Sequence, residues 1–194
     1  MTQLTRRRAL ALIGSTALTL TMRPLRAQSP RPLIVYLTRT GNTRALAEII
    51  AAETGGELFA LTPQPPYSRD YEENVAEIAQ ELTSDTGHPL ARLPDLAAYE
   101  RIYLGWPNWA MQMPPPVQTF LRQADLRGKT LAPFNTHAGF GVGDGFETLQ
   151  RLAPNSSILP GLSIKGGYEK KGILLAIQGR RREAVAHDVR AWLN

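Results

Sequence analysis

Six residues, Thr38-Arg39-Thr40-Gly41-Asn42-Thr43, have the types and spacing to hold an anion. They follow an apolar run, Leu33 to Leu37, and lead straight into a helical pattern. A buried strand that ends in hydroxyls and a glycine, then turns into a helix, offers unpaired backbone N–H groups and the positive end of the helix dipole. Gly41 lets the backbone approach the anion closely. The segment lacks the Gly-Lys-Ser/Thr ending of a triphosphate loop and the Gly-x-Gly-x-x-Gly of a dinucleotide fingerprint. Short and rich in hydroxyls, it suits a single terminal phosphate monoester. By itself the pattern is equally that of an ordinary strand-to-helix turn with a threonine cap.

Two further loops carry unusual chemistry. Gly105-Trp106-Pro107-Asn108-Trp109-Ala110-Met111 places two tryptophans beside a proline just past an apolar run. An aromatic face there can stack on a flat ring, worth ~0.5–1.5 kcal/mol beyond simple burial. Trp106 reads as a cap on the core and Trp109 as the ring contact. The third loop, Thr136-His137-Ala138-Gly139-Phe140-Gly141-Val142-Gly143, has glycine at every second position after His137. Such a chain brings backbone donors and acceptors close to a ligand edge. His137 is open to three roles: a solvated surface side chain, an acid in catalysis, or a neighbour of the ring.

The elements that must position these loops alternate. Strands are expected at Leu33–Leu37, Glu57–Thr62, Arg101–Gly105, Thr130–Asn135 and Ile158–Ile164. Helices are expected over Asn42–Glu53, Tyr71–Leu82 (capped by Asp70, with Val75, Ile78, Ala79 and Leu82 inward), Val117–Gln123, the stretch after Asp144, and Arg181–Leu193. Gly172 to Ile177 is open between a helix turn and an extra edge strand. Such β-α alternation with right-handed crossovers gives an α/β three-layer sandwich around a five-stranded parallel sheet, for which 2-1-3-4-5 is one of two common strand orders and the one expected. The three loops then follow strands that are neighbours, at the crevice where connections diverge to opposite faces. Together they specify a flat ring joined to one phosphate.

Tyr36 to Thr43, Gly105 to Trp109 with Met113-Pro114 behind it, and Phe134 to Gly141 resemble the loops of the flavodoxin family. The likeness is greatest to its bacterial branch with Gly-x-Pro-x-Trp and Thr-His-x-Gly loops. It covers Pro32 to about Ile164, including Pro66-Tyr67 and Tyr71 before the long helix, and fades over residues 168–180. The resemblance implies a flavodoxin-like fold and FMN as cofactor. Thr38, Arg39, Thr40, Gly41, Asn42 and Thr43 would take the phosphate. Pro107, Asn108, Trp109 and Ala110 would lie along one side of the isoalloxazine, and Thr136, His137, Ala138, Gly139, Phe140 and Gly141 along its other edge. No metal site and no catalytic residue is expected.

The opening segment reads as something other than this fold. Arg6, Arg7 and Arg8 precede an uncharged stretch from Ala9 to Met22, and Leu25-Arg26-Ala27 offers a cleavage site. This is the layout of an export signal over residues 1–28, similar to a twin-arginine signal, with the general secretory route also open. About 14 apolar residues fall short of the ~20 a spanning helix needs, so no stable membrane anchor is expected after cleavage. Of the 22 Lys and Arg, five lie in that segment, leaving 17 against 17 Asp and Glu. The domain expected over residues 29–194 is therefore neutral, and the formal charge of +5 is no argument for nucleic acid. Without cysteine, disulfides and thiolate chemistry are excluded. The function this points to is an exported, periplasmic electron carrier working with a redox partner protein or a quinone. The alternative is an FMN-dependent NAD(P)H:quinone-type oxidoreductase.

Overall fold

The computed structural model of the chain describes residues 31–84 and 87–194. The export signal expected over residues 1–28 lies outside them. The elements run β1 (Leu33–Tyr36), α1 (Asn42–Thr54), β2 (Glu57–Ala60), α2 (Tyr71–Ser84), β3 (Arg101–Pro107), α3 (Pro115–Gln123), β4 (Thr130–His137), α4 (Gly145–Leu152), β5 (Ser157–Ile158), β6 (Leu162–Lys165) and α5 (Gly179–Leu193). The strands form one parallel sheet in the order β2-β1-β3-β4-β5, with β6 also pairing with β4. It is an α/β flavodoxin-like sheet flanked by helices.

Alternation along β1 explains the layers. Leu33 and Val35, with Leu37 beyond the strand, point to one face and meet Ile102, Leu104, Trp106, Phe120, Leu121 and Leu149, which brings α3 and α4 onto that face. Ile34 and Tyr36 point to the other and meet Leu46, Ile49 and Ile50 of α1 and Val185 and Val189 of α5. A strand buried on both faces must be apolar throughout, as this one is. Truncating a fully buried member such as Phe134 to Ala costs about 3–5 kcal/mol.

Several expectations change. β3 and β4 continue to Pro107 and His137, because the Trp106–Asn135 and Pro107–Thr136 pairs extend the parallel ladder. Trp106 therefore lies in a strand, fully buried, with its ring edge-on to Phe146 at 5.6 Å. The single last strand expected over Ile158–Ile164 is broken. Between their partners on β4, Leu131 and Phe134 are three steps apart while Ile158 and Leu162 are four. Pro160 has no N–H for the ladder, and the surplus residue bulges there. Its carbonyl accepts a bond from Trp192 Nε1 at 2.8 Å instead.

On α2, Asp70 caps as expected, its Oδ1 accepting from the amides of Glu72 and Glu73 at 2.9 and 3.0 Å. Its inward face is different: Asn74 and Ile78 are buried, whereas Val75 is 42 % exposed and Ala79 is exposed. The segment after β6 is neither a helix turn nor an edge strand. It makes a short 3₁₀ turn, Glu169–Lys171, one antiparallel bridge between Tyr168 and Ile173, and then an irregular run back to α5.

Candidate functional site

A cleft of about 420 Å³ opens at the carboxyl ends of β1, β3 and β4. That volume is within the range of ligand sites. Every expected loop contributes to its lining: Arg39, Thr40 and Asn42 from the first, Pro107 to Ala110 from the second, and Thr136, His137, Ala138 and Phe140 from the third. Thr38, Gly41, Thr43, Gly139 and Gly141 do not line it.

Most side chains of the first loop are spent on building it. Thr38 Oγ1 accepts from the Gly41 amide at 3.1 Å, and Thr43 Oγ1 bonds Thr136 Oγ1 at 2.8 Å, joining α1 to the end of β4. Asn42, 4 % exposed, donates from Nδ2 to Leu174 O at 2.6 Å, and its Oδ1 accepts from the amides of Ala176 and Ile177. Arg39 grips Glu169 through two N–H groups at 2.8 and 2.9 Å and donates to Ser68 O at 2.8 Å. What the loop leaves unspent is backbone and the hydroxyl protons of Thr38 and Thr40. Among the described residues the amides of Thr40, Asn42 and Thr43 have no hydrogen-bond partner. Gly41 sits at φ +88°, a conformation that any β-carbon disfavours, and so turns these amides at the helix start.

The second and third loops are locked to each other. Asn108 Nδ2 donates to Gly141 O at 3.0 Å, and the Asp144 amide donates to Met111 O at 2.9 Å. At Gly143, φ +69°, a β-carbon would come within 2.1 Å of that Met111 oxygen, so only glycine permits the contact. Ala110 and Met111 hold positive φ, 48° and 63°, backbone strain of the kind stored beside ligands. Trp109 is half-buried in the cleft wall, its ring edge-on to Tyr67 at 5.3 Å. Tyr67 in turn stacks on His88 at 4.2 Å and donates to Glu81, whose other oxygen meets His88 Nδ1 at 2.6 Å.

His137 Nδ1 accepts a bond from the Gly139 amide at 3.0 Å. Burial, and secondly the Lys165 ammonium, hold its pKa below the usual value. The accepted bond needs an unprotonated Nδ1, and the lowered pKa favours the neutral ring.

Sequence reasoning missed a wall. Tyr71, Asn74, Val75 and Ile78 of α2 line the cleft, as do Gly166, Gly167, Tyr168 and Glu169. The α2 stripe has helical spacing and was open to view, but whether it faces core or cleft is decided by what lies opposite. Two buried polar atoms in this wall and its neighbour have no partner, Asn74 Nδ2 and Asn108 Oδ1. An unpaired buried polar group costs about 1–3 kcal/mol, so a native fold keeps it where something else pays.

An open α/β sheet with three ligand loops at a topological switch point defines a class of nucleotide-binding proteins. Residues 31–176 match the family model for Flavodoxin. The chain belongs to the flavodoxin family. A search of curated proteins finds no match. Among solved structures, a flavoprotein of Bacteroides uniformis is similar at TM-score 0.69 and 24 % identity, covering 84 % of this chain and 99 % of that one. One from Bacteroides eggerthii has TM-score 0.67 and 21 % identity, over 84 % and 98 %. A flavoprotein of Lactobacillus acidophilus in complex with FMN has TM-score 0.61 and 22 % identity, over 70 % and 93 %.

Proposed function

We propose that this chain holds FMN non-covalently in the cleft and carries electrons outside the cytoplasm. The observation that carries the reading is the meeting, in one cleft, of Thr40 and Asn42, whose amides are unpaired, with the aromatic wall of Trp109. Free amides at the start of α1 suit a phosphate, and Gly41 keeps them aimed at it. At the other end, Trp109 gives a flat ring a face to stack on, and the unpaired Asn74 Nδ2 and Asn108 Oδ1 suit a ring edge that both accepts and donates. Bound there, the flavin supplies one- and two-electron chemistry that the side chains alone lack. The Lactobacillus acidophilus relative, solved with FMN, supports the choice of cofactor.

The protein's own part is to bind, to orient and to limit protonation near the ring. Trp109 is braced by Tyr67, and His137 is held neutral. Export rests on the pattern of residues 1–28. A route for folded proteins lets the cofactor be bound before the chain leaves the cytoplasm. An absorbance spectrum of the purified protein tests the cofactor: flavin bands are expected, and a colourless protein that takes up no FMN overturns the reading. Anaerobic stopped-flow mixing tests the carrier role. The flavin is expected to stay oxidised with NADH or NADPH alone. Fast bleaching would replace the carrier by an NAD(P)H:quinone-type oxidoreductase.

A further inference from the structure

Ten large apolar side chains are exposed among the described residues, and four of them crowd one side of the cleft mouth. Phe140 is 65 % exposed, Ile173 and Leu174 are 53 %, and Leu175 is 38 %. They form one patch rather than a scatter. Phe140 meets Tyr168 edge-on at 5.5 Å, Tyr168 bridges to Ile173, and Leu174 and Leu175 are tied to the first loop through Asn42 and Gly41. Isolated exposed apolar side chains need no explanation, but a contiguous patch around a ligand mouth marks an interaction surface.

Charge says what covers it. The stretch from Lys165 to Arg182 holds six basic residues and one acid, in a domain that is neutral as a whole. That acid, Glu169, is taken by Arg39. Among the described residues Lys165, Lys170, Lys171, Arg180 and Arg181 have no carboxylate partner. Three of them are placed beside the patch: Lys165 lies against Gly139, Lys171 Nζ stands 5.6 Å from the centre of the Tyr168 ring, and Arg181 reaches the Lys165 carbonyl at 3.4 Å. Arg39 also donates to the Arg69 and Asp70 carbonyls at 3.1 and 3.3 Å, so the acids at the start of α2, Asp70, Glu72, Glu73 and Glu77, adjoin this rim across Arg39. The cleft mouth thus has a basic, apolar side and an acidic one.

We infer that this rim is the docking surface for an acidic redox protein. The inference rests on the reading that the cleft holds FMN, and it names the kind of partner. The chain's own opening segment, with five arginines and no acid, would be repelled from the basic rim. A flat anionic bilayer that met this rim would also meet the acids of α2. A folded partner can present carboxylates to one rim alone. Apolar contact at Phe140 and Ile173 excludes water between the two proteins, while the uncompensated cations steer the encounter.

The test uses the reduced holoprotein mixed anaerobically with two oxidised probes, acidic plant plastocyanin and basic cytochrome c. At low ionic strength steering raises on-rates by about 10-fold or more, and it vanishes when the screening length falls to a few ångströms near 1 M salt. The rate with plastocyanin is expected to fall at least ~10-fold as salt rises, while that with cytochrome c does not fall. The charge-reversal variant Lys170→Glu, Lys171→Glu, Arg180→Glu is expected to abolish the fall and to keep the flavin spectrum. Equal salt dependence in the two proteins, or cytochrome c as the probe that salt slows, overturns the inference. So does binding of the holoprotein to phosphatidylglycerol vesicles at 0.15 M salt that the variant loses, which would assign the rim to a membrane. A dimer that the variant cannot form would assign it to a second copy and overturn it equally. A protein without flavin colour fails before mixing, and that failure belongs to the cofactor reading.

Discussion

The two ends of the cleft are built in opposite ways. At the Thr38–Thr43 end each polar side chain that bears on the loop is already bonded within the fold: Thr38 to Gly41, Arg39 to Glu169, Asn42 to the 174–177 run, Thr43 to Thr136. Backbone amides and the hydroxyl protons of Thr38 and Thr40 remain for a ligand. At the Trp109 end Asn74 Nδ2 and Asn108 Oδ1 are unpaired among the described residues, two backbone residues are strained, and Met111 and Phe140 face solvent. A preorganised end pays its ordering entropy during folding and so contributes affinity. An end with unpaired polar groups is set by what binds it. Anchoring and tuning are thereby assigned to different residues, which substitutions can separate.

The largest effect is expected where the anchor's geometry depends on one residue. Gly41→Val puts a β-branched side chain at φ +88° and brings its β-carbon to 3.6 Å from Leu175 Cδ1. Left-handed backbone costs roughly 1–2 kcal/mol for an ordinary L-residue, and branching adds to it. FMN affinity should fall about 30-fold or more, equivalent to ~2 kcal/mol, while riboflavin, which lacks the phosphate, should lose much less. Fluorescence titration of the apoprotein with both ligands decides it. Equal losses would mean that the closed end anchors something other than a phosphate.

Next in size is the clamp that keeps the anchor closed. Arg39 and Glu169 form a two-bond ion pair with side chains 15 % and 21 % exposed. Glu169→Ala leaves the guanidinium with its carbonyl partners but without its countercharge. Allowing for solvent screening, it should cost about 1–2 kcal/mol of apoprotein stability, seen as a lower urea midpoint at unchanged slope. FMN binding should weaken several-fold through looser Thr40 and Asn42. An unchanged midpoint would show that the 166–178 segment lies beside the anchor without supporting it.

At the open end the expected signs differ. Asn74→Leu removes a buried amide that makes no hydrogen bond among the described residues and replaces it with an apolar group of similar size. The apoprotein should gain about 1 kcal/mol. Flavin affinity should fall about 10-fold, and equally for FMN and riboflavin, because Asn74 serves the ring and not the phosphate. Loss of apoprotein stability would place Asn74 among ordinary core residues.

These two ends also differ in how legible they were in the sequence. The anchor follows from local rules, since an apolar run, two threonines and a glycine before a helix dictate strand, turn and free amides. The apolar strands and the Trp and Gly loops were readable in the same way, while the sheet order came with the likeness to a known fold. What was not readable depends on distant partners. Gly172 to Ile177 has neither a strand nor a helix period, and its course is set by the Asn42 amide group, 134 positions away from Ala176 in sequence. The α2 stripe reads as core-facing until the cleft opposite it is known. Pro160 was visible, but the bulge needs the register of β4 as well.

The smallest effect concerns His137, which the sequence left open among a surface side chain, an acid and a neighbour of the ring. The structure makes it a neutral acceptor for the Gly139 amide, with its pKa lowered by burial first and by Lys165 second. The unfolded chain, with the ordinary histidine value of 6.5, then takes up this proton at higher pH than the fold does. The stabilising share is complete above pH 6.5 and is lost as pH falls through the lower folded value. His137→Asn should abolish that part of the acid destabilisation and leave stability near pH 8 little changed. The potential follows the same order. At pH 7 and above, holoprotein and variant should agree. Only below the folded pKa should the wild-type potential rise above that of the variant, as the ring gains its positive charge near the flavin. A potential difference already present at pH 8, in redox titrations of both proteins, would show that His137 acts by its shape or hydrogen bond and not by its charge.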